Sequence, residues 1–473
     1  MNPVNSADRW SVYPPSVNLE SEFDIDWIRS QFDFVNTGRI VTNNAASTQA
    51  PLPILHLTRE VLRDYENVHR GQSQASQSTT MRFELAYDTI AAWINAPSRR
   101  NIVTYRNTTE AHNAVMYSLM TEFRDGDNVV TTMLEHNSNY VPWYALTEEI
   151  LPRFGRRVER RLARFDPVTG ALDLHHLTSL VDERTKLVCC TGASNFLGTK
   201  PPLDIVRAIA DASGYVQPTG ERRSLMLVDA AQLVPSTYTD VQALDVDYLS
   251  FSFHKMLAPF GVGVLYGKEH LLDHSLPFLF GGDMIAEGQV SPDLVEYNEL
   301  PWKYAAGTPN IVGVVQSAQT LRLMIDLTAD PGEASFFRSE RPIPAHVVRR
   351  SMERIGRHTH GLTARALDRL SAVPGITIYG PPIGVVRSPL VAFNVEGWNP
   401  LDLATELDSR GVEARAGCHC ATLAHHSLGL DPPASCRLSF ALYNSTDDVD
   451  RACAAVLDAT GRDGGSVSRS LRL

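Results

Sequence analysis

The sequence predicts an α/β protein with two parts: a large domain on a mostly parallel sheet flanked by helices, and a smaller α+β domain at the C-terminal end. Three observations predict it. Short apolar runs alternate with helical spacing between residues 184 and 267, as in sheets whose strands are joined by helices. The order of elements changes after about residue 345. A chain of 473 residues is also too long for one simple core.

The elements justify themselves in chain order. Residues 1–20 are polar and Pro-containing and predict a loose start to an N-terminal arm over 1–33. The large domain is expected over 34–330. Within it, RTKLVCCT (184–191) and SLMLVD (224–229) are apolar runs bounded by polar residues, and Leu203–Ser213 has helical spacing. Tyr248–Phe253 is a third strand and Gly263–Tyr266 a fourth. PGEASFFRSERPIPA (331–345) mixes Pro, Gly and charge, and reads as a loop opening a small domain over 331–460. There, helical segments near 346–373 precede strands at Ile376–Tyr379 and Leu390–Val395. A helix follows at Pro400–Arg410, then a Gly/Cys/His-rich loop and a strand near Arg437–Leu442. The tail 461–473 is expected to fray.

Composition narrows the function. Hydrophobic residues at 43% and charged residues at 21% fit a folded globular chain. The net charge of −11 and the absence of a basic stripe argue against nucleic acid. No apolar stretch is long enough for a membrane span, and no basic segment followed by an apolar run marks a secretory signal. The expected location is therefore the cytoplasm. Six cysteines in this length do not make a disulfide scaffold, so the thiols are expected free. Cys189 and Cys190 lie in a strand-like run and are expected in the core.

The segment from Leu225 to Gly267 carries the most chemistry. Ligands in such sheets sit at the carboxyl ends of strands, where Asp229, Ser252 and Lys255 fall. A lysine at a strand end is ordinarily solvent-exposed. Here it has company that suits pyridoxal phosphate (PLP). That cofactor needs an amine to form an imine, and a carboxylate to keep its pyridine nitrogen protonated so the ring draws electrons from the substrate Cα. Lys255 and Asp229 supply these. Gln232 is placed to reach the ring hydroxyl, and Ser252 and His254 to donate to the phosphate.

The segments TNNAAST (42–48), YENVHRG (65–71), NTTEAHNAV (107–115), EHNSNYVPW (135–143), SNFLGTKPPL (194–203), VDAAQ (228–232), SFSFHK (250–255), AGTPNI (306–311), RAGCHCA (415–421) and RLSFALYNS (437–445) occur in one order along the chain. On them the sequence resembles the class V aminotransferase superfamily, and within it the cysteine desulfurase and selenocysteine lyase branch. The resemblance spans about residues 34–455. It implies PLP fold-type I, with a seven-stranded type of sheet, and a PLP-dependent enzyme. It further implies that His136 stacks on the pyridine ring, that the helix opened by Thr108 and Thr109 receives the phosphate, and that Asn195 lies near the cofactor hydroxyl and substrate carboxylate. Gly307 and Thr308 resemble a loop reaching the cofactor phosphate of a neighbouring subunit, which implies a homodimer. Where the family usually has Glu before AGTPN, this chain has Ala305.

The loop RAGCHCATLAHHSLGL decides the reaction. Cys420 aligns with the family's nucleophilic cysteine. The resemblance implies that it takes sulfur from L-cysteine, leaving alanine and an enzyme persulfide that a sulfur-acceptor protein collects. Nearby His419 and Arg415 are expected to lower the thiol's pKa. Arg437 resembles the arginine that forks the substrate α-carboxylate, with Arg415 assisting. Cys-x-Cys with His425 and His426 lacks a second well-spaced ligand pair, so no metal is expected. Cys418 stands outside the family pattern, with a disulfide to Cys420, a sulfur relay or no role all open. Thr422-Leu423 replaces the common Gln-Pro. The expected function is thus cysteine desulfuration. The competing readings are a PLP-dependent C–S lyase, epimerase or aminotransferase on another amino acid or cysteine conjugate, and a non-enzymatic partner of sulfur carriers.

Overall fold

The computed structural model describes residues 23–461. The loose start expected over 1–20 and the tail from residue 462 lie outside the described residues. Seven strands form the central sheet: β1 Ile102–Tyr105, β2 Asn128–Thr132, β3 Glu159–Ala163, β4 Thr185–Thr191, β5 Leu225–Asp229, β6 Tyr248–Ser252 and β7 Gly263–Gly267, ordered β1-β7-β6-β5-β4-β2-β3. Every pairing is parallel except the two made by β7, which runs against β1 and β6. The expected α/β class and mostly parallel sheet are both found.

The strands are apolar without alternation because both faces of the sheet are covered. In β4, Leu187 and Cys189 enter one core while Val188 and Cys190 enter the core on the opposite face. In β5, Leu225 and Leu227 divide from Met226 and Val228 in the same way. The two strand cysteines are fully buried, as expected.

The smaller sheet contains β8 Ile376–Tyr379, β9 Leu390–Val395, β10 Arg415–Gly417 and β11 Ser435–Ser439, ordered β8-β9-β11-β10 and antiparallel throughout. The last strand starts and stops earlier than the expected Arg437–Leu442. It ends because residues 441–444 fold into a turn, in which the Asn444 N–H donates to Ala441 O and the Ala441 N–H to Asn444 Oδ1. Along β11, Cys436 and Leu438 enter the small-domain core. Side chains alternate on a strand, so Arg437 between them faces the large domain.

One helix joins the two cores. Its residues Val348, Met352 and Ile355 pack in the large-domain core, and Leu362, Ala366 and Leu370 in the small-domain core. It runs without a break from Ala345 to Ser371.

Within the arm expected over 1–33, the described residues are ordered against the rest of the chain. Residues Ile25–Ser30 form a helix, and Ile40–Val41 pairs in parallel with Val412–Glu413 of the small domain. Ile28, Phe32, Phe34 and Val41 pack in the large-domain core, while Ile40 enters the small-domain core. Arg29 donates to Asp448 Oδ2 at 2.6 Å and to Tyr443 O at 3.0 Å. These contacts span more than 400 positions and leave no local signal. The buried Ile28 and Phe32, four residues apart, were the available clue. Among the described residues, no helix is long and apolar enough to cross a membrane.

Asp448 also accepts hydrogen bonds from the Ser445 N–H and Asn444 Nδ2. Its loss strands Arg29 and a helix start together. Asp448→Ala should therefore lower stability by about 2 kcal/mol, measured as a reduced urea midpoint. An unchanged midpoint would mean the N-terminal clasp contributes nothing.

Candidate functional site

The site forms where the carboxyl ends of β4, β5 and β6 meet the side of the small sheet that turns away from its own core. Thr191, Asp229 and Ser252 end those strands, and Lys255 follows β6 on a single 3-10 turn, Phe253–Lys255. Helix α1, Thr108–Leu119, contributes its first turn, and the loop after β2 contributes His136 and Ser138. Ala45 and Ala46 close one side; Arg415, His419 and Arg437 come from the small domain. The enclosed space measures about 770 Å³ including its open mouth. That is within the usual range of a small-molecule site, about 300–1,000 Å³.

Lys255 is half-buried and lines this cavity. Burial pushes its amine down to about 8. Asp229 opposes that shift, while Arg437 and Arg415 reinforce it. An amine near 8 keeps a useful neutral fraction at neutral pH, which imine chemistry requires. Asp229 is 3% exposed and is oriented by the Ala231 N–H, which donates to Oδ1 at 3.0 Å.

His136 is pushed down to about 4, mainly by burial and then by the charge of Lys255. Its Nδ1 accepts from the Ser138 N–H at 3.0 Å, so the neutral ring carries its proton on Nε2. The ring is a wall of the cavity. Burial likewise lowers His254 to about 4, and its ring stacks on Phe260.

At the phosphate-suited end, the Thr108 N–H donates to Ser252 Oγ at 2.8 Å, and the two hydroxyls lie 2.6 Å apart. Thr109 and Asn107 line the same end. Asn107, not a threonine, caps the helix, accepting from the Glu110 N–H at 3.0 Å. The cap sits close over β7: a Cβ on Gly263 would lie 2.5 Å from Asn107 Cα. Glycine there lets the helix start reach the sheet. Gln232 donates from Nε2 to Ala45 O, fixing its amide beside Lys255.

The opposite end is built for an anion. Arg437 is 1% exposed; Nη1 donates to Asn195 O at 2.6 Å, while Nε and Nη2 have no partner. Asn195 Oδ1 is also buried without a partner. Burial, with Arg415 as a second cause, lowers the Arg437 guanidinium to about 9. Arg415 sits directly opposite Arg437 in the strand register. Like charges facing each other across a pair are destabilising, and an incoming carboxylate relieves both the repulsion and the unpaired N–H groups.

Cys420 follows the His419 that lines the cavity, and it lies within electrostatic reach of Lys255 and Arg437. The Cys420 carbonyl accepts from the Asn137 N–H at 2.7 Å, and the His419 carbonyl accepts from Asn195 Nδ2 at 2.6 Å. Both residues have positive φ, 51° and 55°. The expectation that His419 supplies a positive charge to the thiol fails. Burial first, and then Arg437, His425 and Arg415, hold its ring well below the ordinary pKa. His425 is bonded at both ring nitrogens, to Ala421 O and Ser435 Oγ, and stacks on Phe196 at 3.6 Å. The cations beside Cys420 are Lys255 and Arg437.

Thr308 lies outside this cavity, exposed in the loop after Gly307. Sequence reasoning missed His112 and Ser138. Buried His112 donates from Nδ1 to Ser138 O and accepts at Nε2 from Ser250 Oγ. It thereby ties helix α1 to the loop bearing His136. Its position one helical turn after Thr108 was the only available hint. Glu135 was also missed. Burial pushes this carboxyl up to about 8, against hydrogen bonds from Thr132, Asn139 and the Thr191 N–H.

A PLP-sized group fits this donor set. Lys255 and Asp229 sit at one position, a helix start with two hydroxyls at the other, and unpartnered Arg437 and Asn195 atoms beyond.

The chain matches the family model "Aminotransferase class-V" over residues 40–334 and 345–452. It is 35% identical over 450 residues to a probable cysteine desulfurase of Halobacterium salinarum, covering 93% of this chain and 97% of that one. It is also 35% identical to a cysteine desulfurase of Dickeya dadantii, covering 92% and 96%. The solved apo cysteine desulfurase of Thermococcus onnurineus superposes with a TM-score of 0.78 at 30% identity, covering 92% and 98%. The cysteine desulfurase CsdA of Escherichia coli gives 0.77 at 29% identity over the same shares.

Since the neutral amine is the nucleophile, the rate at which the cofactor-free protein takes up PLP should rise with pH and level off above about 8. Stopped-flow absorbance between pH 6 and 10 checks this. A rate that still climbed steadily up to pH 10 would show that the amine keeps its ordinary pKa and is not desolvated.

Proposed function

This chain belongs to the aminotransferase class-V family, and from that premise we propose that it is a PLP-dependent cysteine desulfurase. The observation that carries the reading is the Cys420 turn, docked by Asn137 and Asn195 where its thiol shares the field of Lys255 and Arg437. Lys255, Asp229, His136, Gln232, Thr108, Thr109, Ser252 and His254 would hold the cofactor. Bound there, PLP supplies an electron sink that makes the substrate Cα proton acidic and the Cβ–S bond breakable.

The residues divide the remaining work. Arg437, helped by Arg415 and Asn195, forks the L-cysteine carboxylate and so orients the Cα–H bond. The neutral Lys255 amine takes that proton and later returns one. The Cys420 thiolate attacks the substrate sulfur: an S–S bond forms as the Cβ–S bond breaks, leaving alanine and a Cys420 persulfide. Asp229 stays as the carboxylate partner of the ring nitrogen. Neutral His136 offers its ring face and an Nε2 proton.

A homodimer is part of the same reading. Leu276, Leu279, Phe280, Val290, Leu294 and Tyr297 are large, exposed and confined to one stretch, as an interface patch would be. Thr308 follows that stretch and is available to a second subunit's phosphate end. A cytoplasmic location and a sulfur-acceptor protein complete the proposal.

Incubation with L-cysteine should yield alanine and sulfide. Cys420→Ala should keep the absorbance of the bound cofactor yet form no persulfide by mass spectrometry. If the variant consumed substrate at the wild-type rate without forming a persulfide, the enzyme would be a C–S lyase, epimerase or transaminase instead. Arg437→Ala should raise KM for L-cysteine by on the order of 10- to 100-fold, since a hydrogen bond to a charged group contributes about 1.5–3 kcal/mol. A KM within twofold of wild type, read from initial rates of alanine formation, would remove Arg437 from the carboxylate site.

A further inference from the structure

The turn that carries Cys420 holds a second thiol that desulfuration does not use. Cys418 and Cys420 are the first and third residues of a four-residue turn, closed by the Ala421 N–H donating to Cys418 O at 2.8 Å. Two residues apart in a turn folded this tightly, the Cys418 and Cys420 Cα atoms are about 5–6 Å apart, and a disulfide accepts Cα separations of about 4.4–6.8 Å. Both thiols are half-buried and free, whereas Cys189, Cys190, Cys436 and Cys453 are buried. Burial pushes the thiols of Cys436 and Cys453 up to about 12 and raises the strand pair as well. The reactive thiols of this chain are therefore two, and they share one turn. Positive φ at both His419 and Cys420 is a conformation that favours Gly, Asn or Asp, and it costs about 1–3 kcal/mol per residue elsewhere. The hydrogen bonds from Asn195 and Asn137 hold it.

We propose that Cys418 resolves the persulfide on Cys420, a step that rests on the desulfurase reading above. The Cys418 thiolate attacks Cys420 Sγ. A Cys418–Cys420 bond forms as the bond from Cys420 Sγ to the terminal sulfur breaks, and that sulfur leaves with the electron pair as hydrosulfide. Two equivalents of an external thiol then reopen the disulfide, becoming oxidised to their own disulfide while both cysteines regain their protons. Sulfide release is thereby coupled to the thiol supply, and without thiol the active-site cysteine is locked.

The test uses the full-length, PLP-loaded enzyme, reduced, freed of thiol without air, and given one equivalent of L-cysteine per site. Trypsin cuts after Arg415 and Arg437, so one peptide carries Cys418, Cys420 and Cys436. The wild type should form alanine and free sulfide in equal amounts. Its peptide should be two hydrogens lighter, with fragmentation placing the link between 418 and 420. Cys418→Ser should form the same alanine, retain one extra sulfur on Cys420, and release sulfide only after thiol is added. Alanine with an unlinked wild-type peptide bearing the extra sulfur would overturn the proposal and leave desulfuration standing. No alanine from either protein would overturn both. A second arm needs no substrate: diamide should link 418 to 420 in the wild type, and failure to do so would refute the geometry directly.

Discussion

The site is governed by positive charge held away from water with too little negative charge beside it. Lys255, Arg415 and Arg437 meet around one cavity whose lining contains a single carboxylate, Asp229. Burial depresses Lys255 to about 8 and Arg437 to about 9, the direction expected when a cation lacks compensation. A protein that only needed to be stable would pair these groups or replace them with apolar side chains, because removing unpaired charge from water is costly. The deficit makes sense as capacity: a carboxylate at one end and a phosphate at the other restore the balance. On the proposed reading, affinity for an amino-acid substrate is stored as electrostatic frustration in this cavity.

That arrangement depends on how the two cores meet. Lys255 and Asp229 belong to the ends of parallel strands, Arg415 and Arg437 to an antiparallel sheet more than 150 residues later in the chain, and Cys420 to the segment joining two strands of that sheet. Helix 345–371 packs its first half in one core and its second half in the other, which fixes the separation of the two sheets. The N-terminal segment adds a second tie through Ile40 and the Arg29–Asp448 pair. A site at such a seam is sensitive to small shifts in either part, so the residues that set the seam matter to chemistry they never touch.

Much of this could be read from the sequence, and the reasons it could are physical. The sheet was visible because strands buried on both faces must be continuously apolar, as RTKLVCCT is. Lys255 and Asp229 were visible because they lie at the ends of two such strands. Arg437 was visible through its matched segment, and the alternation of β11 explains why it points at the site. What escaped notice was non-local or conformational. Nothing near Ile40 announces a partner at Val412. His112 reads as an ordinary helix residue until its two ring nitrogens are found bridging Ser138 and Ser250. The positive φ of His419 and Cys420 has no dependable sequence marker: histidine takes that conformation more often than most residues, but cysteine does not.

The error over His419 bears on how the thiol is served. A histidine beside a cysteine suggests an imidazolium, yet a proton on His419 would face Arg437 and Arg415 in a desolvated space. The hydrogen bonds agree with a neutral chain. His425 gives its Nδ1 proton to Ala421 O and takes the Ser435 hydroxyl proton at Nε2. Ser435 Oγ is then left to accept from His419 Nε2. His136 is neutral as well, with its Nδ1 occupied by the Ser138 N–H. The histidines of this site thus act as fixed donors, acceptors and flat surfaces, while lysine and arginine carry the charge. A catalytic centre organised this way keeps its field through the pH range where histidine ordinarily titrates, and its sensitivity to pH moves to the alkaline side, where Lys255 gives up its proton.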